Sequence, residues 1–246
     1  MRVAVCISGA CVSKNPNTNL QKNLSRVKQF FPDYDYHFAT WSSFQRTFEN
    51  NFPEETAHYY PEPDIGYHPY FDIPPEHWES NRFAETKSFI QRGGMHRREW
   101  TSHHTKQHLI HAWLCDKIKD DYDVVVRARF DTWIYKDADF IPYVIDTYEN
   151  NRINSFSATK KNYFDMLRQF DTNPAGKHHN WIVDQLIMHP MSFIDRAYVD
   201  RLHEEQRLHP AEMGWYQVLS KPNGSTHRCF DGWVNHDKNV LERFFR

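Results

Sequence analysis

The sequence has little cysteine and arranges it to no covalent purpose. Cys6, Cys11, Cys115 and Cys229 form no CxxC pair and no zinc-finger spacing. That argues against a disulfide framework and fits a reducing cytosol. A chain of 246 residues buries enough core to need no staple. No apolar run approaches the ~20 residues that cross a bilayer. A signal peptide is also missing: after Arg2 the chain enters Val3-Ala4-Val5-Cys6-Ile7 at once, too short a run and without a cleavage site. Net charge is only −2 at pH 7, so nothing global points to nucleic acid or a membrane surface, and any basic patch must be local. Internal repeats and low-complexity segments are absent. Aromatics, by contrast, reach 16% and histidines number 16. Aromatic enrichment accompanies sugar or base stacking, and equally an aromatic core.

The most informative stretch runs from Asp121 to Trp133. Val124-Val125-Val126, bounded by charge, reads as a short strand buried on both faces. Arg127, Arg129 and Asp131 follow at alternate positions, so a continuing strand would set all three on one face. The carboxyl end of a buried strand is where an open α/β sheet places its ligand crevice. Arginine offers phosphate a planar fork, and an aspartate beside it can hold a divalent cation. An Arg–Asp ion pair closing the strand end accounts for the same residues.

Around that strand the chain reads as alternating strands and helices. Val3 to Ser8 is a first strand ending in Ser8-Gly9-Ala10, where a glycine turn lets backbone amides approach a ligand. Leu20, Leu24, Val27 and Phe31 recur at helical spacing, with Asn17 or Thr18 as N-cap. Tyr36 to Trp41 is a second strand. Strand, helix and strand at this spacing form a βαβ unit with a parallel pair. Residues 52–98 lose periodicity and mix proline with tyrosine, as an irregular insertion or lid would. Within them, Arg92 to Arg98 is basic around Gly93-Gly94, a flexible turn or an anion nest.

A helix is expected over residues 99–119, with Leu109, Ile110, Trp113 and Leu114 as its apolar side. His104, His108 and His111 fall at i, i+4 and i+7 and share the opposite face. That face is read as solvated or substrate-facing; a zinc or nickel site there is the alternative. Asp137-Ala138-Asp139 reads as a cation site or as the cap of the next helix. Residues 153–158 suggest another strand. In Trp181 to Pro190 an apolar run is broken by Asp184-Gln185. A buried carboxylate there must be hydrogen-bonded, paired or used in chemistry. Residues 191–205 read as a helix, a second starts after Pro210, and the tail carries His227 and His236 toward a closing strand.

Taken in order, these segments resemble small glycosyltransferase-like proteins of bacteria and large phages. The residues that carry the resemblance are Val5-Cys6-Ile7-Ser8-Gly9, Tyr36 to Trp41, Tyr122 to Asp131, Val183-Asp184-Gln185 before Met191, and His209-Pro210-Ala211-Glu212. The resemblance implies an α/β fold: one Rossmann-like domain of GT-A type over residues 1–246, with a mainly parallel central sheet flanked by helices. It implies a nucleotide-sugar donor and Mn²⁺ or Mg²⁺ bound after a central strand. The usual DxD is absent at that point, where Arg129-Phe130-Asp131 stands, so metal dependence is left open. Asp131 and His227 are the metal candidates. Ser8, Gly9, Ala10, Arg127, Arg129 and Gln185 are the substrate-binding candidates, and Asp184 and Asp131 the catalytic ones.

The expected activity is transfer of a sugar from a nucleoside-diphosphate sugar to a hydroxyl acceptor, in the cytoplasm or, for a viral protein, in the host cytoplasm. The acceptor is a glycan or a hydroxymethylated base of phage DNA; the latter would need a basic, aromatic groove. A metal-dependent hydrolase built on His104, His108 and His111, and an inert carbohydrate-binding protein, are the other readings.

Overall fold

The computed structural model describes residues 1–12, 19–64, 96–135, 137–156, 182, 184–205, 211–220, 227–230 and 234–235. Seven strands form one sheet: β1 (Val3–Ser8), β2 (Asp35–Trp41), β3 (Ala57–Tyr60), β4 (Val124–Ala128), β6 (Ile153–Phe156), β7 (Leu186–Pro190) and β8 (His227–Phe230), in spatial order β3-β2-β1-β4-β7-β6-β8. β5 (Trp133–Ile134) and β9 (Val234–Asn235) pair separately, antiparallel. In the main sheet only β7 runs against its neighbours, β4 and β6; the other pairings are parallel. The expected α/β architecture, a mainly parallel sheet flanked by helices, is therefore present.

Period-2 alternation splits the sheet into two cores. Val3, Val5, Ile7, Val124, Val126 and Ala128 face α1 (Leu20–Phe30), α2 (Gln45–Asn51) and α4 (Ile141–Glu149). Ala4, Cys6 and Val125 face α3 (His96–Ile118), α5 (Arg196–Glu204) and α6 (Ala211–Leu219). All six residues of β1 and all five of β4 are buried, which is why both read as unbroken apolar runs. The first core is strongly aromatic. Phe48 packs its ring 5.6 Å from Phe38, 5.3 Å from Phe52 and 5.9 Å from Phe130. Much of the aromatic content is thus core among the described residues.

Local chemistry sets the helix ends. Asn19, rather than Asn17 or Thr18, caps α1, its side chain accepting from the Lys22 N–H at 3.0 Å. Asp139 accepts from the Ile141 N–H at 2.9 Å, and Asp137 pairs with Arg26 at 3.1 Å. The N-cap itself is Phe140, so the Asp137-Ala138-Asp139 triplet serves to bond the first N–H of the helix and to form an ion pair. Residues 191–205 are not one helix: a 3₁₀ turn over Met191–Phe193 precedes α5, whose N-cap Asp195 accepts from the Tyr198 N–H at 3.2 Å. Inside the stretch read as aperiodic, Ala57–Tyr60 forms the edge strand β3, parallel to β2. Residues 65–95 of it lie outside the described residues. No helix among the described residues is long and apolar enough to cross a membrane.

Phe48 is fully buried with aromatic neighbours on several sides. Phe48→Ala should lower the unfolding free energy by about 3–5 kcal/mol, read from the urea midpoint. A loss under ~1 kcal/mol would mean this face is not the packed core described here.

Candidate active site

β4 ends at Ala128, and a tight turn follows. The Thr132 N–H donates to the Arg129 carbonyl at 3.1 Å, and the Arg129 N–H donates to Thr132 Oγ1 at 2.9 Å. The Thr132 hydroxyl then donates to the Gln185 carbonyl at 3.0 Å. Thr132 thus clips the turn to the segment entering β7. Phe130 anchors the turn from the other side, stacking 5.9 Å from Phe52.

Strand direction explains why residues 184–185 arrive here. β7 is antiparallel to β4 with Leu186 opposite Ala128. Its amino end therefore lies at the carboxyl end of β4. Asp184 and Gln185, one step earlier, meet Arg129 and Asp131.

The charges interlock at that point. Arg129 grips both oxygens of Asp131, at 2.8 and 2.9 Å, and reaches Asp184 Oδ2 at 2.9 Å. Side-chain exposure is 20% for Arg129, 9% for Asp131 and 8% for Asp184. Burial works against the Arg129 charge, but the fields and hydrogen bonds of the two carboxylates outweigh it and hold its pKa above the usual guanidinium value. Charge-assisted, two-pronged contacts of this kind are the strong class of side-chain hydrogen bond.

Arg127 lies below, fully buried. It donates to the Asp184 carbonyl and, at 3.0 Å, to Gln107 Oε1, with its guanidinium 4.7 Å from the Trp215 ring centre. Burial pushes its pKa down to about 9, so it stays cationic at neutral pH. Arg127 fixes the backbone of Asp184 from beneath; it does not reach the surface.

The first turn of the chain is adjacent. β1 and β4 pair Ile7 with Ala128 as the last step of their ladder, so the Ser8-Gly9 turn leaves the sheet next to the turn that carries Arg129. Gly9 has φ +131°, and a Cβ added there would meet nothing within 4 Å. Backbone conformation, not space, calls for glycine. The Gly9 N–H donates to the Ala39 carbonyl at 3.2 Å, and the Ala10 carbonyl accepts from the Val12 N–H at 2.8 Å. The Ser8 hydroxyl points into the core, 3.3 Å from His111 Nδ1.

From Ser8 a buried chain of polar groups runs inward. His111 Nε2 is 3.0 Å from His189 Nε2, and His189 Nδ1 is 2.8 Å from the Pro190 carbonyl. The carbonyl only accepts, so His189 carries its proton on Nδ1 and its Nε2 must accept. His111 therefore donates from Nε2 and accepts from Ser8 at Nδ1. Burial pushes His189 down to about 4, against the Pro190 hydrogen bond that favours its protonated ring. Burial likewise drives His111 well below its ordinary value, helped by His189 and Arg127. Both rings are neutral at pH 7.

The histidine face of α3 is thus core rather than solvated. His108 and His111 are fully buried, their rings 4.6 and 5.4 Å from that of Trp215. His111 faces the sheet, where Ser8 of β1 and His189 of β7 pair with it, and His108 packs edge-on against Trp215 of α6. His227 is not brought to Asp131. It opens β8 opposite Ile153, three strand spacings from β4, about 14 Å. His236 and the side chain of His104 lie outside the described residues, as do Gly93-Gly94. Thr132, Gln107, His189, Cys115 and Trp215 line this region, and none of them was marked as a site residue from the sequence. His189, three residues into an apolar run, was the available signal.

No family model and no curated protein matches the sequence. Solved structures do match in fold. Core-mannan synthase A from Aspergillus fumigatus, in a Mn/GDP form, is 10% identical, covering 96% of this chain and 74% of that one, with TM-score 0.47. Mouse xyloside xylosyltransferase 1 is 8% identical, covering 93% and 84%, with TM-score 0.41. A 4-diphosphocytidyl-2C-methyl-D-erythritol synthase from Anaerococcus prevotii is 6% identical, covering 100% and 96%, with TM-score 0.45.

Arg129→Met should cost about 3 kcal/mol of stability, because it removes the cation that two buried carboxylates share; the urea midpoint reads this. A second expectation concerns pH. Between about pH 4 and the ordinary value of 6.5, the unfolded chain binds a proton at His189 that the folded protein does not. Stability is therefore complete above pH 6.5 and falls as pH drops toward 4. In chelator-containing buffer, Tm should decline over that window, and His189→Gln should flatten the decline. An unchanged slope in the variant would show that His189 does not carry it.

Proposed function

We propose that this protein is a glycosyltransferase that moves a sugar from a nucleoside-diphosphate donor to a hydroxyl acceptor. One observation carries the reading: Arg129, Asp131 and Asp184 meet at the carboxyl end of β4, one strand from the Ser8-Gly9 turn. A parallel sheet opens its ligand crevice at this edge. Three of the motifs that carry the resemblance, Val5 to Gly9, Tyr122 to Asp131 and Asp184-Gln185, border that strand end.

In the proposed reaction the bond from the sugar's anomeric carbon to the diphosphate oxygen breaks, and a bond to the acceptor oxygen forms. The acceptor's proton passes to a base. The diphosphate departs with added negative charge, which preorganised donors must meet. Arg129 is the cation placed to do so. Its N–H groups are already aimed by two carboxylates, and a fifth of its side chain is exposed. Asp184 is the base or the ligand of the acceptor hydroxyl, and Asp131 holds the Arg129 fork in register. Arg127 is a positioning residue for the Asp184 backbone, and Gln185 rides on the same segment. Ser8, Gly9 and Ala10 form the turn against the nucleotide.

The metal expectation fits less well. Asp131 and His227 do not meet, and Arg129 lies between the two carboxylates whose oxygens would suit a hard cation. No step is assigned to Mn²⁺ or Mg²⁺. The hydrolase reading has no support from an open histidine face, because His108 and His111 are sealed in the core.

Thermal-shift measurements across nucleotides and nucleotide sugars, with and without Mn²⁺, test the donor class: a specific donor raises Tm by mass action. Asp131→Asn and Asp184→Asn should each lower turnover at least about tenfold with the fold retained. Full activity in both variants, or no stabilisation by any nucleotide sugar, would overturn the reading.

A further inference from the structure

The polar cluster beneath the strand ends has the composition and spacing of a metal site. His111 and Cys115 lie one turn apart on α3, and His189 faces them from β7. Their ligand atoms lie within 4.8 Å of one another, all buried. His111 Nε2 is 3.0 Å from His189 Nε2 and 3.5 Å from Cys115 Sγ. Tetrahedral zinc, with bonds of about 2.0–2.1 Å to nitrogen and 2.3 Å to sulfur, sets N···N at ~3.3 Å and N···S at ~3.6 Å. Two of the three edges therefore already stand close to those of that tetrahedron before any ion arrives. Outer contacts of the kind that orient metal-bound histidines are present too: the Pro190 carbonyl on His189 Nδ1, and the Ser8 hydroxyl on His111 Nδ1.

Cys6 supplies what three ligands lack. On β1 it lies on the same face as Ser8, under α3, as the neighbour that, with burial, holds the Cys115 thiol up, though its sulfur stands outside the three atoms already within 4.8 Å of one another. Charge makes the second sulfur necessary. Zinc with one thiolate and two neutral imidazoles would leave a net positive site near the buried Arg127. With two thiolates the site is neutral.

We propose that His111, Cys115 and His189 hold a structural zinc ion, with the Cys6 thiol drawn in to close the tetrahedron. Binding converts two thiols to thiolates and releases two protons. The His111 proton moves from Nε2 to Nδ1, where it donates to Ser8 instead of accepting from it. The ion ties β1, α3 and β7 together directly beneath the turn that carries Ser8 and Gly9. Every ligand is buried and comes from the protein, which marks a closed structural site rather than a catalytic one.

The experiment uses untagged full-length protein. Expected results are one zinc per chain by elemental analysis, and about two protons released per zinc on reloading the chelated protein. Cobalt in place of zinc should give a sulfur-to-metal charge-transfer band and the intense visible bands of tetrahedral Co²⁺. Zinc at about a hundredfold excess over its Kd should raise Tm by about 5–10 °C. Cys115→Ser and His189→Ala should abolish the cobalt bands, Cys6→Ser should weaken the charge-transfer band, and Asp131→Asn should leave the bands intact. Absence of stoichiometric zinc and of the sulfur–cobalt band in the wild type overturns the proposal, whether or not the variants fold. Bands that survive in both Cys115→Ser and His189→Ala, or vanish in Asp131→Asn, place the ion elsewhere and overturn it as well. Loss of transferase activity in Asp131→Asn with zinc retained separates the two sites.

Discussion

The strand end depends on Arg129 being shared by two carboxylates. Asp131 comes from the same turn and Asp184 from a distant segment, and burying either carboxylate away from a cation is costly. Arg129 supplies the charge, and its planar fork supplies the geometry: one edge for Asp131, the remaining nitrogen for Asp184. A phosphate arriving here would compete with carboxylates for the same N–H groups. Binding at this place is therefore an exchange of partners, and the Arg129 side chain, partly exposed, is where it would begin.

The two faces of the sheet are built on different chemistry. One is aromatic and aliphatic, with Phe38, Phe48, Phe52 and Phe130 in mutual contact. The other carries a polar layer of Ser8, Arg127, His111, His189 and Cys115 beneath α3. Neutral, tautomer-fixed rings can be buried because each nitrogen has a defined role. A buried hydrogen-bonded network of this sort allows one seating of α3 on the sheet and penalises others. The same layer places Arg127 under Asp184 and the Ser8-Gly9 turn next to that of Arg129, so the hidden polar groups hold the exposed ones in position.

Some of this could be read from residue order. The triple valine, the Ser8-Gly9 turn and the βαβ spacing marked the parallel core, and Asp184 stood out as a carboxylate in apolar surroundings. Other features could not. Arg127 and Arg129 look equivalent in the sequence, two residues apart on one face. The strand stops at Ala128, and that alone makes one a buried strut and the other a partly exposed donor. Histidines opposite an apolar helical stripe looked solvated, because periodicity measures apolar content and is blind to polar partners supplied by other strands. Ala57–Tyr60 was hidden among prolines, since an edge strand needs only one neighbour and little hydrophobic signal.

By itself the sequence determined that β1 and β4 are buried strands, where β1 turns, and that a cationic and acidic group leaves β4. Those are local properties of period and side-chain type. Only the tertiary structure decided which of those groups meet. β7 runs antiparallel between two strands that are parallel to each other, and that reversal carries Asp184 to Arg129 and His189 to His111. Strand direction is set by long-range pairing, which no local pattern encodes.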